Sequence, residues 1–177
     1  MVDSSDDVNA EDFEKQKALL LSIARKIGIM TNYTRGALVP YGDTASVYFR
    51  FEDSSSTASF ENAVAKMPRK KGRSRLVRAL EVTRRDVFPS ARAGIPKIAF
   101  VLSSDKHSGD ARALAVVSDS LRQEGVKLLE AGVGNEVNLH GLRSVMNNND
   151  DVNPIQSHDQ LSLKSTNISL KICEATG

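Results

Sequence analysis

The sequence holds one cysteine and no tryptophan, and its aromatics amount to six phenylalanines and three tyrosines. A lone thiol, Cys173, excludes an internal disulfide framework and any thiolate cluster for zinc. In a secreted protein it would be an orphan whose partner lies outside this chain. The scarcity of aromatics, with none interleaved among the basic residues, argues against a stacking platform for nucleic acid. No apolar run approaches the ~20 residues of a membrane-spanning helix, the longest being "ALLLSIA", so no membrane insertion is expected. Met1 is followed by acids where a secretory leader would be basic and then apolar. There is no Gly-Lys-Ser/Thr phosphate loop, and Gly132-Val133-Gly134 lacks the third glycine and helix entry of a dinucleotide loop. His140 and His158 fall in different elements and His107 reads as a solvated loop residue, so no catalytic set emerges.

What is present describes one ordinary domain. A length of 177 residues, 40% of them hydrophobic and 26% charged, suffices for a core without staples. The formal net charge of +2 conceals a segregation. Residues 1–14 carry six acids and no base, while residues 66–85 carry nine bases and one acid. Such a division marks either a partner-facing surface or the solvated face of a helix. Asn32 and Asn167 each begin an Asn-x-Ser/Thr triplet, the glycosylation acceptor pattern.

Along the chain, helical and strand-like patterns alternate. "AEDFEKQKALLLSIARKIGI" carries a helical apolar stripe, with Asn9 as cap, acids in its first turn and Gly28 at its stop. "RGALVPY" and "ASVYFRFE", joined by "GDT", read as a tight hairpin. "TASFENAVAKM" reads as a short helix begun by Thr57 and closed by Pro68. "SRLVRALEVTRRDVF" reads as an amphipathic helix capped by Ser74, with Leu76, Ala79, Leu80 and Val87 inward. "IPKIAFVLS" and "VKLLEAGVG" are apolar enough for strands buried on both faces. "DARALAVVSDSLRQEG", "VNLHGLRSVM" and "DQLSLKSTNISLKICEA" read as helices, and "NNNDDVNPIQ" as a turn into a short edge strand. This order predicts an α/β fold: a doubly wound, mostly parallel sheet with one antiparallel edge hairpin and helices on both faces.

Ligands of such sheets bind beyond the carboxyl ends of the strands. Three oxygen-rich loops are expected there: "DSSDD", "KGRSR" and "SSDKHSGD". Carboxylates and hydroxyls without thiols or paired histidines suit a hard cation such as Mg²⁺, with Mn²⁺ or Ca²⁺ as alternatives.

Four stretches carry a resemblance. "TRGALVPYGDTASVYFRFED", "GRSRLVRAL", "IPKIAFVLSSDKHSGD" and "LRQEGVKLLEAGVG" occur in the order found in the von Willebrand factor type A domain, and the likeness runs from Asp3 to Cys173. The resemblance implies a metal-ion-dependent adhesion site of the form Asp-x-Ser-x-Ser, a threonine and an aspartate. Asp3 and Ser5 match its first two positions, Asp7 stands in place of the final serine, and Ser74 in place of the threonine. Asp105 supplies the last ligand if the loop slips by one residue; otherwise Ser104 occupies that position. Read without the family, Asp3, Asp6 and Asp7 would be an acidic helix entry and Ser74 an N-cap.

The resemblance implies a single domain over residues 1–177 in which Met1 and Val2 are the remnant of a central strand, a strand needing ~5 residues. A fragment of a longer secreted or cell-surface polypeptide, or a truncated gene product, is therefore expected. It implies a non-enzymatic adhesion module binding collagen or another matrix component through the metal site. The alternative is metal-independent binding of an acidic protein or sulfated glycan by Arg69, Lys70, Lys71, Arg73 and Arg75, within the basic stretch 69–85. A small doubly wound enzyme ranks last, since no nucleophile has an evident base.

Overall fold

The structure is a computed structural model that describes residues 1–104, 111–134, 146 and 151–176. Five strands, β1 (Val2–Asp3), β2 (Pro40–Tyr41), β3 (Lys97–Ser104), β4 (Val126–Val133) and β5 (Val152–Ile155), form one sheet in the order β2-β1-β3-β4-β5. Every neighbouring pair in it is parallel. Among the described residues the α-helices are α1 (Ala10–Ile27), α2 (Thr57–Ala65), α3 (Leu76–Val82), α4 (Ala111–Gln123) and α5 (Leu161–Glu174).

Strand periodicity divides the core in two. Successive side chains of a strand point to opposite faces, so Ala99, Val101, Val126 and Leu128 join Leu76 and Leu80 of α3 and Leu114 and Leu121 of α4 in one cluster. Leu102, Ala131 and Val133 join Phe13, Leu20 and Ile23 of α1, Val64 of α2 and Ile168 of α5 in the other. Burial on both faces is why β3 and β4 read as unbroken apolar runs. Asn9 caps α1, its side chain accepting from the Asp12 amide, and Gly28 ends the helix at φ 67°. That left-handed conformation suits glycine.

Three local expectations change. The "GDT" hairpin does not become a two-stranded ladder: antiparallel pairing is limited to the bridges Leu38–Phe49 and Tyr41–Ala45. The two bridges are one residue out of register with each other, so no continuous ladder joins them; Asp43 at the turn accepts from the Arg73 amide (3.1 Å) and the Arg75 guanidinium (3.4 Å). Ser74 is not a cap: Arg75 stands at the cap position of α3, without a side-chain bond, and the Ser74 hydroxyl is spent elsewhere. The expected long helix 74–88 runs from α3 through a π turn at Thr83–Val87 into a 3-10 turn at Phe88–Ser90. Pro89 has no amide hydrogen with which to continue an α-helix. The helix expected in "VNLHGLRSVM" lies outside the described residues apart from Met146, which is buried.

Candidate metal centre

β1 lies between β2 and β3, and its Asp3 is fully buried at the carboxyl edge. Four donors converge on this carboxylate. The Ser5 amide donates to Oδ1 at 3.0 Å. Oδ2 accepts from the Ser74 hydroxyl at 2.8 Å, the Ser104 hydroxyl at 2.5 Å and the Ser104 amide at 3.3 Å. Ser5, Ser74 and Ser104 are themselves buried. Residues from the β1 loop, the turn before α3 and the end of β3, far apart in sequence, are thus gathered around one acid.

The surrounding loops are locked together by backbone bonds. Ser4, between the two expected ligands, faces inward: its hydroxyl donates to the Tyr41 carbonyl at 2.9 Å and accepts from the Lys70 amide at 3.1 Å. The Lys71 amide donates to the Ser4 carbonyl (2.9 Å) and the Asp43 amide to the Lys71 carbonyl (3.1 Å). Asp6 and Gly72 exchange two bonds, Asp6 amide to Gly72 carbonyl at 2.8 Å and Gly72 amide to Asp6 carboxylate at 2.9 Å. Gly42 and Gly72 permit this approach. A Cβ on Gly42 would stand 2.0 Å from the Lys71 carbonyl oxygen, and one on Gly72, at φ +70°, would stand 2.1 Å from Asp43 Oδ2.

Charge around the centre is mixed. Tyr41, fully buried beside it, has its phenol held well above the ordinary value by burial, then by the negative charges of Asp3 and Glu130, while Ser74 acts in the opposite sense. Glu130 is buried and accepts from the Ser103 hydroxyl at 2.5 Å. Asp43 is held below the usual carboxylate range, first by the Arg73 amide and also by Arg75, against a partial loss of hydration.

The residues named from sequence therefore divide. Asp3, Ser5, Ser74 and Ser104 come together. Asp7 is exposed, and its amide donates to the Ser5 hydroxyl at 3.3 Å. Asp105 lies outside the described residues. Among the basic residues, Arg69 is half-buried and donates to the carbonyls of Ser5 (3.1 Å) and Val8, Arg75 is bonded to Asp43, Lys70 is half-buried, and Lys71 and Arg73 are exposed. Asn32, Asn167 and Cys173 are exposed. Sequence reasoning missed Asp6, Asp43 and Ser4 as loop clamps; the adjacent glycines, Gly42 and Gly72, were the available signal of a close backbone approach.

The donor set fits a hard cation. A hydroxyl that gives its hydrogen to Asp3 has only its oxygen lone pairs left to offer, and the acid fixes the orientation of Ser74 and Ser104. Among the described residues no group of three or more His, Cys, Asp or Glu gathers.

Fold and site together define a doubly wound α/β domain with an aspartate–serine centre at the carboxyl edge of its sheet. The von Willebrand factor type A domain model matches residues 1–167, and the chain belongs to that family. It is 27% identical over 161 residues to cuticlin-6 of Caenorhabditis elegans, covering 91% of this chain and 28% of that protein. To the collagen alpha-4(VI) chain of Mus musculus it is 27% identical over 138 residues, 75% of this chain and 6% of the other. To matrilin-2 of Mus musculus it is 25% identical over 151 residues, 82% of this chain and 15% of that one. The chain thus spans less than a third of each of these relatives. Among solved structures, proximal thread matrix protein 1 from the mussel byssus, with a zinc-occupied metal-ion-dependent adhesion motif, superposes with a TM-score of 0.89 at 25% identity. That match covers 97% of this chain and 44% of the mussel protein.

Proposed function

We propose that this domain is a non-enzymatic binding module of an extracellular matrix or cell-surface protein, engaging its partner through a divalent cation held at the Asp3 centre. The observation that carries the reading is the convergence of the Ser74 and Ser104 hydroxyls on the buried Asp3 carboxylate. Ser5, Ser74 and Ser104 would hold the ion, with Asp3 fixing the serines and the exposed Asp7 next to Ser5 through its amide bond to that hydroxyl. Mg²⁺, or Mn²⁺ in its place, suits an oxygen set of this kind, and when bound it offers a coordination position that a partner carboxylate can fill. The relatedness to collagen and matrilin chains supports a matrix partner such as collagen.

The chain's own contribution is orientation. The clamps among Ser4, Asp6, Asp43 and residues 70–73 fix the loops before a partner arrives, which lowers the ordering cost of binding. Arg69, tied to the Ser5 and Val8 carbonyls, places a positive charge beside the same loop. That charge opposes the cation and favours an acidic partner.

Surface plasmon resonance on immobilised collagen, in Mg²⁺ and then in EDTA, tests the proposal. Binding that disappears in EDTA and in Ser104→Ala is the expected result. Binding of equal strength with and without metal would remove the ion from the mechanism and leave the basic loop as the contact.

A further inference from the structure

Lys15, Arg25, Arg84 and Lys127 each hold a carboxylate oxygen within 2.6–2.9 Å. The segment 66–78 is different: it carries seven bases and no acid. Two of the seven are tied down, Arg69 to the carbonyls of Ser5 and Val8 and Arg75 to Asp43. The side chains of the other five, Lys66, Lys70, Lys71, Arg73 and Arg78, make no hydrogen bond or ion pair among the described residues. Lys70 is half-buried and the remaining four are exposed. The acids bonded to this segment are Asp6, which accepts from the Gly72 amide, and Asp43, which accepts from the Arg73 amide and Arg75. Positive charge therefore remains in excess.

The backbone beneath these charges is fixed, and at one point strained. Lys71 has φ 56°, the one positive φ outside glycine among the described residues. A left-handed backbone crowds the Cβ of a lysine and costs a glycine nothing. Lys71 is held there from both ends: its amide donates to the Ser4 carbonyl at 2.9 Å and its carbonyl accepts from the Asp43 amide at 3.1 Å. A strained residue in a clamped loop points to a use for its side chain, and this side chain is an exposed ammonium without a partner.

The chemistry of the patch narrows its occupant. Residues 66–78 include no aromatic residue, and Met67 and Leu76 are buried. The patch thus offers neither the apolar centre of a protein interface nor a platform on which bases stack. It offers long ammonium and guanidinium arms on a rigid backbone. Such groups make charge-assisted hydrogen bonds to tetrahedral oxyanions, and a row of ester sulfates on a polysaccharide presents those anions closely spaced without apolar surface.

We propose that residues 66–78 form a binding site for a sulfated glycan, centred on Lys71 and Arg73 with Lys66, Lys70 and Arg78 flanking. The site goes beyond the cation-dependent reading. It is clamped to the Ser4 loop beside the Asp3 centre but needs no ion, and its test is run in EDTA so that the two can fail separately.

Fluorescence anisotropy with a labelled heparin octasaccharide, in EDTA across a NaCl series, is the experiment. The parent chain is expected to bind, with an affinity that falls steeply as salt rises. Lys71→Gly combined with Arg73→Gln should weaken binding roughly tenfold and flatten the salt dependence. Glycine suits the φ at residue 71 and the Arg73 side chain makes no bond, so this variant should keep its Tm within ~2 °C of the parent. Lys26→Gln combined with Lys164→Gln removes the same charge from exposed sites on α1 and α5 and should change binding by less than about twofold. No binding by the parent, or equal weakening by the two pairs, overturns the proposal. Equal affinity for a fully desulfated octasaccharide or for poly-glutamate would make the partner a carboxylate-rich chain, and equal affinity for oligo-deoxythymidine would make it nucleic acid. Binding that appears only when Mg²⁺ is supplied would assign the glycan to the Asp3 centre instead.

Discussion

Replacing Asp3 by asparagine is the perturbation whose cost can be worked out most fully. The carboxylate accepts from two backbone amides, those of Ser5 and Ser104, and from two hydroxyls, those of Ser74 and Ser104. Hydroxyls can rotate to new partners; backbone amides cannot. An asparagine offers one oxygen and one NH₂ group, so either orientation sets NH₂ against one of the two amides. An unpaired buried donor costs ~1–3 kcal/mol, and two hydroxyl bonds to a charged acceptor lose about 1 kcal/mol each on becoming neutral. The sum is about 4 kcal/mol. For a chain of this length 1 kcal/mol shifts Tm by ~2–4 °C, so Asp3→Asn should unfold ~8–16 °C below the parent. Calorimetric scanning in EDTA measures it with no metal contribution. A variant within ~2 °C of the parent would refute the four-donor geometry.

Two further outcomes follow from the same structure. The Met1 amine, at about 5 when folded against 8.0 as a free group, binds its proton in the unfolded chain over a window where the native chain does not. Stability is therefore lost as pH falls from 8 towards 5, by at most about 4 kcal/mol, and urea unfolding of amine-acetylated protein should show a flatter pH profile. Equal profiles would place the amine in water. Gly42→Ala forces a Cβ against the Lys71 carbonyl and should cost about 2 kcal/mol, read as a lower urea midpoint. An unchanged midpoint would show that the loops at residues 42 and 71 part freely.

The parts of the fold governed by short-range pattern were legible from sequence. The runs of β3 and β4 are apolar because both faces are covered, and α1 announces itself by its stripe, its Asn9 cap and its Gly28 stop. The parts governed by contacts between distant loops were not. Ser74 reads locally as a helix cap, and only the family resemblance placed it with Asp3; in the fold its hydroxyl is 2.8 Å from that acid, 71 residues away. Asp43 looks like a turn residue, yet its carboxylate also ties down the loop at residues 73–75. At the third loop the sequence left Asp105 and Ser104 as alternatives, and the Ser104 hydroxyl donates to Asp3. Sequence could not say how its small hydroxyl would share that acid with Ser74, because the shared hydrogen bonds depend on the packing of β1 against β3.

Isothermal titration with Mn²⁺ tests the central claim most directly. The parent protein should bind one ion per chain, and Ser104→Ala, which leaves the Ser104 amide bond to Asp3 in place, should weaken that binding by roughly tenfold or more. No binding in the parent, or equal affinity in parent and variant, would contradict it.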